Sequence, residues 1–95
     1  MDVDMAIEGL MNVERLYTAQ VSAGVPARQV LDSLVKVWDT RLAELQQVTD
    51  EDREELTNTL GRGPWSVADK TKLGATIMGI ADVNLIQVTQ SIQFN

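Results

Sequence analysis

The most informative absences in this sequence are those of cysteine and histidine. Without cysteine there is no disulfide framework, no thiol nucleophile and no thiolate metal site, and the redox compartment is left open. Only carboxylates remain as metal ligands, and the acidic run at residues 50–55 lacks the glycine and the alternating ligands of a calcium loop. We therefore predict no metal and no cofactor.

Catalytic motifs are also missing. No glycine-flanked serine elbow or serine–lysine motif is present, and residues 61–63 lack the strand, the longer glycine loop and the Lys-Ser or Lys-Thr pair of a phosphate-binding loop. Most acidic residues fall where helix caps and solvated helix faces would place them, rather than in a pocket that would shift a pKa. The sequence therefore favours a protein that is not an enzyme.

Basic residues are few. Eight lysines and arginines stand against fourteen acidic residues, which gives a net charge of −6. This charge opposes binding to nucleic acid and to anionic lipid, because both draw on basic side chains. We expect a protein partner, with no nucleic acid and no membrane.

Long hydrophobic runs are absent as well. The longest apolar stretch, residues 73–86, is interrupted by Asp82 and Asn84 and is too short for a membrane span of ~20 residues. The first five residues lack the basic region and apolar core of a secretory signal. These features predict a cytoplasmic protein.

Helical periodicity dominates what is present, and the uniform composition predicts one domain over residues 1–95. A first helix is predicted over 3–22, ended by Gly24, which suits a left-handed cap, and by Pro26. A second helix, with a wide apolar stripe, is predicted over 27–48.

Two capping patterns mark the later helices. Thr49 with its following acids predicts a short third helix over 50–60, and Ser66 with Asp69 predicts a fourth helix starting near 67. Residues 83–94 fit a helix or an alternating strand, and helix is favoured because no strand partner is evident. The predicted fold is all-α, a bundle of three to four helices: a hairpin, a short acidic helix and an apolar carboxy-terminal helix.

Arg41 is an anomaly, because it falls inside the apolar stripe of the second helix, between Leu34 and Leu45. A guanidinium there must extend to solvent along Trp38 or pair with a carboxylate. Glu14, at the edge of the stripe of the first helix, is the candidate partner, within one chain or between two. Both alternatives stay open from sequence.

The carboxy-terminal segment is a second anomaly. Residues 73–95 carry a single charge, Asp82, yet apolar residues lie on more than one side, which is typical of a segment that another surface covers. Either a partner covers it, or it is the buried centre of its own bundle. Because aromatic and arginine side chains often dominate interfaces, we select as interaction candidates Trp38, Arg41, Trp65, Leu85, Ile86 and Phe94.

These features favour a non-enzymatic protein interaction module, self-associating as a homo-oligomer subunit or acting as an adaptor. An alternative is a small acidic inhibitor or DNA mimic, from a phage or mobile element, that blocks a basic surface of a host protein through Asp50, Glu51, Asp52, Glu54 and Glu55. A further alternative is an accessory or rod-like subunit of a secretion system, which the chain resembles in general composition: a cysteine-free helical hairpin and an uncharged, glutamine-containing carboxy terminus.

Overall fold

The computed structural model describes residues 3–80 and 82–94, and those residues form five helices and no strand. The all-α prediction is therefore confirmed, while the described chain has more helices than the three or four expected. The helices are α1 Val3–Ser22, α2 Ala27–Ala43, α3 Asp50–Leu60, α4 Val67–Ile80 and α5 Val83–Gln90.

Local capping sets several helix boundaries as the sequence predicts. The Thr49 side chain accepts a hydrogen bond from the Asp52 amide at 3.1 Å and starts α3. Ser66 and Asp69 cap each other's amides at the start of α4, as in a capping box. Gly24 lies just after the end of α1 and has a φ of +100°. Residues with a Cβ atom rarely adopt this backbone conformation.

The second helix is shorter than the apolar pattern predicts. It ends at Ala43, and residues 44–49 form turns in which the Leu45 amide donates to Leu42 O and the Val48 amide to Leu45 O. Leu45 and Val48 nevertheless pack against the core from these turns. Periodicity alone misplaces the end of α2, because turn residues can reach the core at helix-like spacing.

The carboxy-terminal region is helical but interrupted. Asp82, in an extended conformation, separates α4 from α5, and its side chain accepts a hydrogen bond from the Asn84 amide at 2.9 Å. Residues 83–90 are helix, which confirms the favoured alternative over the strand, and residues 91–94 have no regular structure.

Two pairings organise the bundle. α2 packs most extensively on α3, and α1 packs most extensively on α4, while α1 and α2 also contact each other. α5 lies over both α1 and α2. The core between these layers is apolar, and its fully buried large side chains are Trp38, Leu34, Leu42, Leu60, Leu73, Ile77 and Leu85.

No helix in the described part of the chain is long and apolar enough to cross a membrane. The molecule measures 36 × 24 × 22 Å. These dimensions are those of a short helical bundle.

Candidate interaction surfaces

Three of the predicted contact residues lie in the core. Trp38 and Leu85 are completely buried, and Trp65 is only 6% exposed. Trp65 stacks edge-on against Tyr17 and donates its indole N–H to Leu60 O at 3.0 Å. In this conformation the chain itself satisfies their apolar and polar groups, and their contact with a partner stays a prediction.

The other apolar candidates, Ile86 and Phe94, lie at the edge of the core. Both are partly exposed and pack against buried side chains. Ile86 sits against Gly9 of α1, where an added Cβ would come within 2.8 Å of its Cγ1 atom. Gly9 therefore allows α5 to lie close to α1, a packing role that the sequence pattern did not reveal.

Arg41 pairs with Asp82 and not with Glu14. Its Nε and Nη2 atoms lie 2.9 and 2.8 Å from Asp82 Oδ2, and its Nη1 atom lies 3.0 Å from Glu44 Oε2. Glu14 instead pairs with Lys70 of α4 at 3.1 Å. The predicted Arg41–Glu14 pair within one chain is therefore wrong, because each residue meets a nearer partner that the linear pattern could not identify.

This arginine joins the end of α2 to the start of α5. Asp82 uses Oδ2 for Arg41 and Oδ1 for the Asn84 amide, so one carboxylate both caps α5 and ties it to α2. The hydrogen bond from Arg41 to Asp82 raises the pKa of the guanidinium, and this effect outweighs the opposing effect of desolvation. The contact therefore stabilises the position of α5 on α2.

Beside this tie lies a shallow groove of about 320 Å³ between α2 and α5. Its walls are mostly apolar, and the Lys36 side chain forms no ion pair with any described residue. The volume is at the lower end of small-molecule sites, which run from ~300 to ~1,000 Å³. The groove is lined by Lys36, Val37, Thr40, Arg41, Glu44 and Val88.

The largest exposed apolar side chains of the described chain lie elsewhere, on the paired helices α1 and α4. They are Met11 and Val21 of α1 and Val67 and Met78 of α4, with Val67 79% exposed. Scattered exposed apolar residues are ordinary. All four lie on two helices that pack against each other.

The outer face of α4 carries a row of small and apolar residues spaced four apart. Val67, Thr71, Ala75 and Gly79 are all exposed. A Cβ added at Gly79 would meet nothing within 4 Å, so no contact within the described chain requires glycine there. We call these four residues the α4 outer row.

The lysines of α4 flank this row but are directed toward the neighbouring helices. Lys70 pairs with Glu14 of α1, and Lys72 pairs with Glu55 of α3. The α4 outer row therefore lies between two ion pairs and is itself uncharged.

The acidic stretch on α3 is exposed and only partly neutralised. Asp50 lies 3.6 Å from Arg53, and Glu55 pairs with Lys72. A shallow depression of about 360 Å³ lies along this face. In the described chain no ion pair involves Glu51, Asp52 or Glu54.

Comparison of this chain with protein-family models, with curated proteins and with solved structures finds no match. The described residues also contain no group of three or more acidic side chains placed to hold a metal ion.

Proposed function

We propose that this chain is a non-enzymatic interaction module that self-associates through the outer face of α4. The observation that carries the proposal is the α4 outer row, which is uncharged and exposed between two ion pairs. Its apolar area is removed from water when another surface covers it.

A second copy of the chain fits this row by shape. Val67 projects at one end of the row, and Gly79 leaves open space at the other. In a two-fold, antiparallel crossing of two α4 helices, the Val67 side chain of each copy would face Gly79 of the other. An isologous interface requires such self-complementarity, and small residues at its centre, here Thr71 and Ala75, allow close approach.

Charge also favours contact at this face. Each chain carries a net charge of −6, so two copies repel at most surfaces. The α4 outer row lies between Lys70 and Lys72, whose partners are Glu14 and Glu55 of the same chain. Two copies that meet here bring together locally balanced charges rather than the acidic face of α3.

The test is the oligomeric state of Ala75→Glu, measured by light scattering after size exclusion over a range of protein concentrations. Ala75 is exposed, so a glutamate should be tolerated in the monomer, but two glutamates would meet near the two-fold axis. We expect the unsubstituted chain to be a dimer and Ala75→Glu to shift the dimer dissociation constant upward by at least ~10-fold, equivalent to ~1.4 kcal/mol.

Ala19→Glu is the matched control, because Ala19 is also an exposed alanine inside a helix and gains the same charge. It should leave the dimer unchanged. A monomeric unsubstituted chain, or equal effects of the two substitutions, would contradict the proposal.

A second candidate function, an acidic inhibitor of a basic surface, is favoured by the acidic face of α3. Glu51, Asp52 and Glu54 are exposed, and their charges are not neutralised by ion pairs with described residues. Competition between this chain and labelled duplex DNA for a basic DNA-binding protein tests it. Displacement that weakens steeply as salt rises supports the inhibitor, and absence of displacement at low salt counts against it.

A further inference from the structure

The last helix is attached to α4 in sequence but not in space. Among the described residues, α5 packs against α1 and α2 and not against α3 or α4. Its link to α4 consists of residues 81 and 82. The packing of α5 would therefore be the same if it belonged to another copy of the chain.

The surface that receives α5 is specific for this helix. Leu85 and Thr89 are completely buried. The Trp38 indole N–H donates to Thr89 Oγ1, and Thr89 in turn donates to Leu85 O at 2.7 Å. Arg41 binds Asp82. We call this surface of α1 and α2 the α5 groove, and it selects an acidic cap, a leucine three residues on and a threonine four residues after that.

No glycine or proline enforces the bend between α4 and α5. Residues 81 and 82 are alanine and aspartate, with neither glycine nor proline. The helical spacing continues across the junction, since Leu73, Ile77 and Ile80 are followed on the same face by the polar Asn84 and then by Val88. The bend is therefore maintained by the Asp82 cap on the Asn84 amide and by tertiary contacts, above all that of Asp82 with Arg41.

A straight alternative is available to this segment. If residues 67–90 formed one helix, it would be about 36 Å long at 1.5 Å per residue. α5 would then point away from its own groove and leave Trp38 without its Thr89 partner. Two straightened copies could each place α5 in the groove of the other and restore the burial of Leu85 and Thr89 and the Trp38–Thr89 hydrogen bond.

We propose that two copies of this chain exchange α5, each inserting it into the α5 groove of the other. Exchange of an identical element is a route to dimers that needs no new contact chemistry, and short hinges promote it. This inference is independent of the α4 outer row, because the two surfaces involve different residues and different motions.

A disulfide can report which chain supplies α5. An added Cβ at Gly9 would lie 2.8 Å from Ile86 Cγ1 and 3.7 Å from Cγ2. The Cβ of residue 86 is bonded to both atoms and therefore lies about 4 Å away, within the range of a disulfide. Because the chain has no cysteine, the double variant Gly9→Cys with Ile86→Cys contains only this pair.

The experiment compares oxidised double variants on a denaturing, non-reducing gel after refolding at low and at high protein concentration. Exchange gives chains linked to one another, whereas α5 in its own groove gives internally linked single chains. We expect the linked-dimer fraction to rise with concentration. A dimer formed only through the α4 outer row still gives single chains, so the two proposals fail separately.

Two changes at the α4–α5 junction, each made in the cysteine double variant, test whether the junction controls the exchange. Asp82→Ala removes the cap and the partner of Arg41, so it should favour the straight helix and make linked dimers the majority species. Asp69→Ala is the matched control, because Asp69 also caps a helix and pairs with an arginine, Arg62, but lies far from the junction. Insertion of three glycines between residues 81 and 82 should return the product to single chains.

Single chains at every concentration, with both the unmodified junction and Asp82→Ala, would overturn the proposal. If Asp82→Ala does not fold, the concentration series of the cysteine double variant with the unmodified junction tests the proposal by itself. Linked dimers that are equally abundant in the glycine insertion would also contradict it, because a long flexible junction lets α5 return to its own groove.

Discussion

At the scale of single residues, buried polar groups are satisfied by partners distant in sequence. No described buried side-chain nitrogen or oxygen lacks a hydrogen bond. The Trp38 indole finds its acceptor in Thr89, 51 residues away. Trp38 can therefore be buried in the core, because its indole N–H has an acceptor within the chain.

Thr89→Val should destabilise the protein by about 1–3 kcal/mol, because valine has nearly the shape of threonine but leaves the buried Trp38 N–H without an acceptor. Thr89→Ser keeps the acceptor and should cost only about 1 kcal/mol for the lost methyl group. Urea unfolding followed by tryptophan fluorescence measures both. Equal stability of the valine variant and the unsubstituted chain would show that this hydrogen bond contributes nothing.

At the scale of helices and turns, the same residue type has opposite roles at two positions. Gly24 and Gly79 both leave open space where a Cβ would lie, but only Gly24 has a positive φ, +100°. Glycine is therefore required by the backbone in the α1–α2 turn and is unfavourable in α4, where it costs about 1 kcal/mol relative to alanine.

Gly24→Ala should accordingly destabilise the monomer by about 1–2 kcal/mol, and Gly79→Ala should stabilise it by about 1 kcal/mol. Each substitution serves as the control for the other, since neither added methyl group meets another atom within 4 Å. Thermal or urea unfolding by circular dichroism at low protein concentration measures the two changes. Effects of the same sign would contradict this account. The proposed α4 contact adds that Gly79→Ala weakens self-association while stabilising the monomer.

At the scale of the whole molecule, charge is distributed unevenly. Ion pairs link α1 to α4, α3 to α4 and α2 to α5, while the outer face of α3 keeps acidic groups without such partners. Salt screens repulsion between copies of net charge −6, so self-association should strengthen with salt where binding to a basic partner weakens. The sign of the salt response therefore separates the two candidate functions.

Much of the architecture follows from the sequence by itself. The all-α class, the bounds of α1 and α3, the start of α4 and the positive φ of Gly24 are predicted from periodicity and capping residues. These features depend on hydrogen bonds and side chains within one or two helical turns, so the local sequence contains the information that determines them.

Only the tertiary structure decided the end of α2, the separation of α4 from α5, the partner of Arg41 and the burial of Trp38. Arg41 and Asp82 are 41 residues apart, and nothing in the pattern around either residue distinguishes Asp82 from Glu14 as the partner. An amphipathic stripe shows that a face is covered but does not show by which segment. The segment that covers a face depends on which helices lie side by side. In this protein α5 packs over α1 and α2.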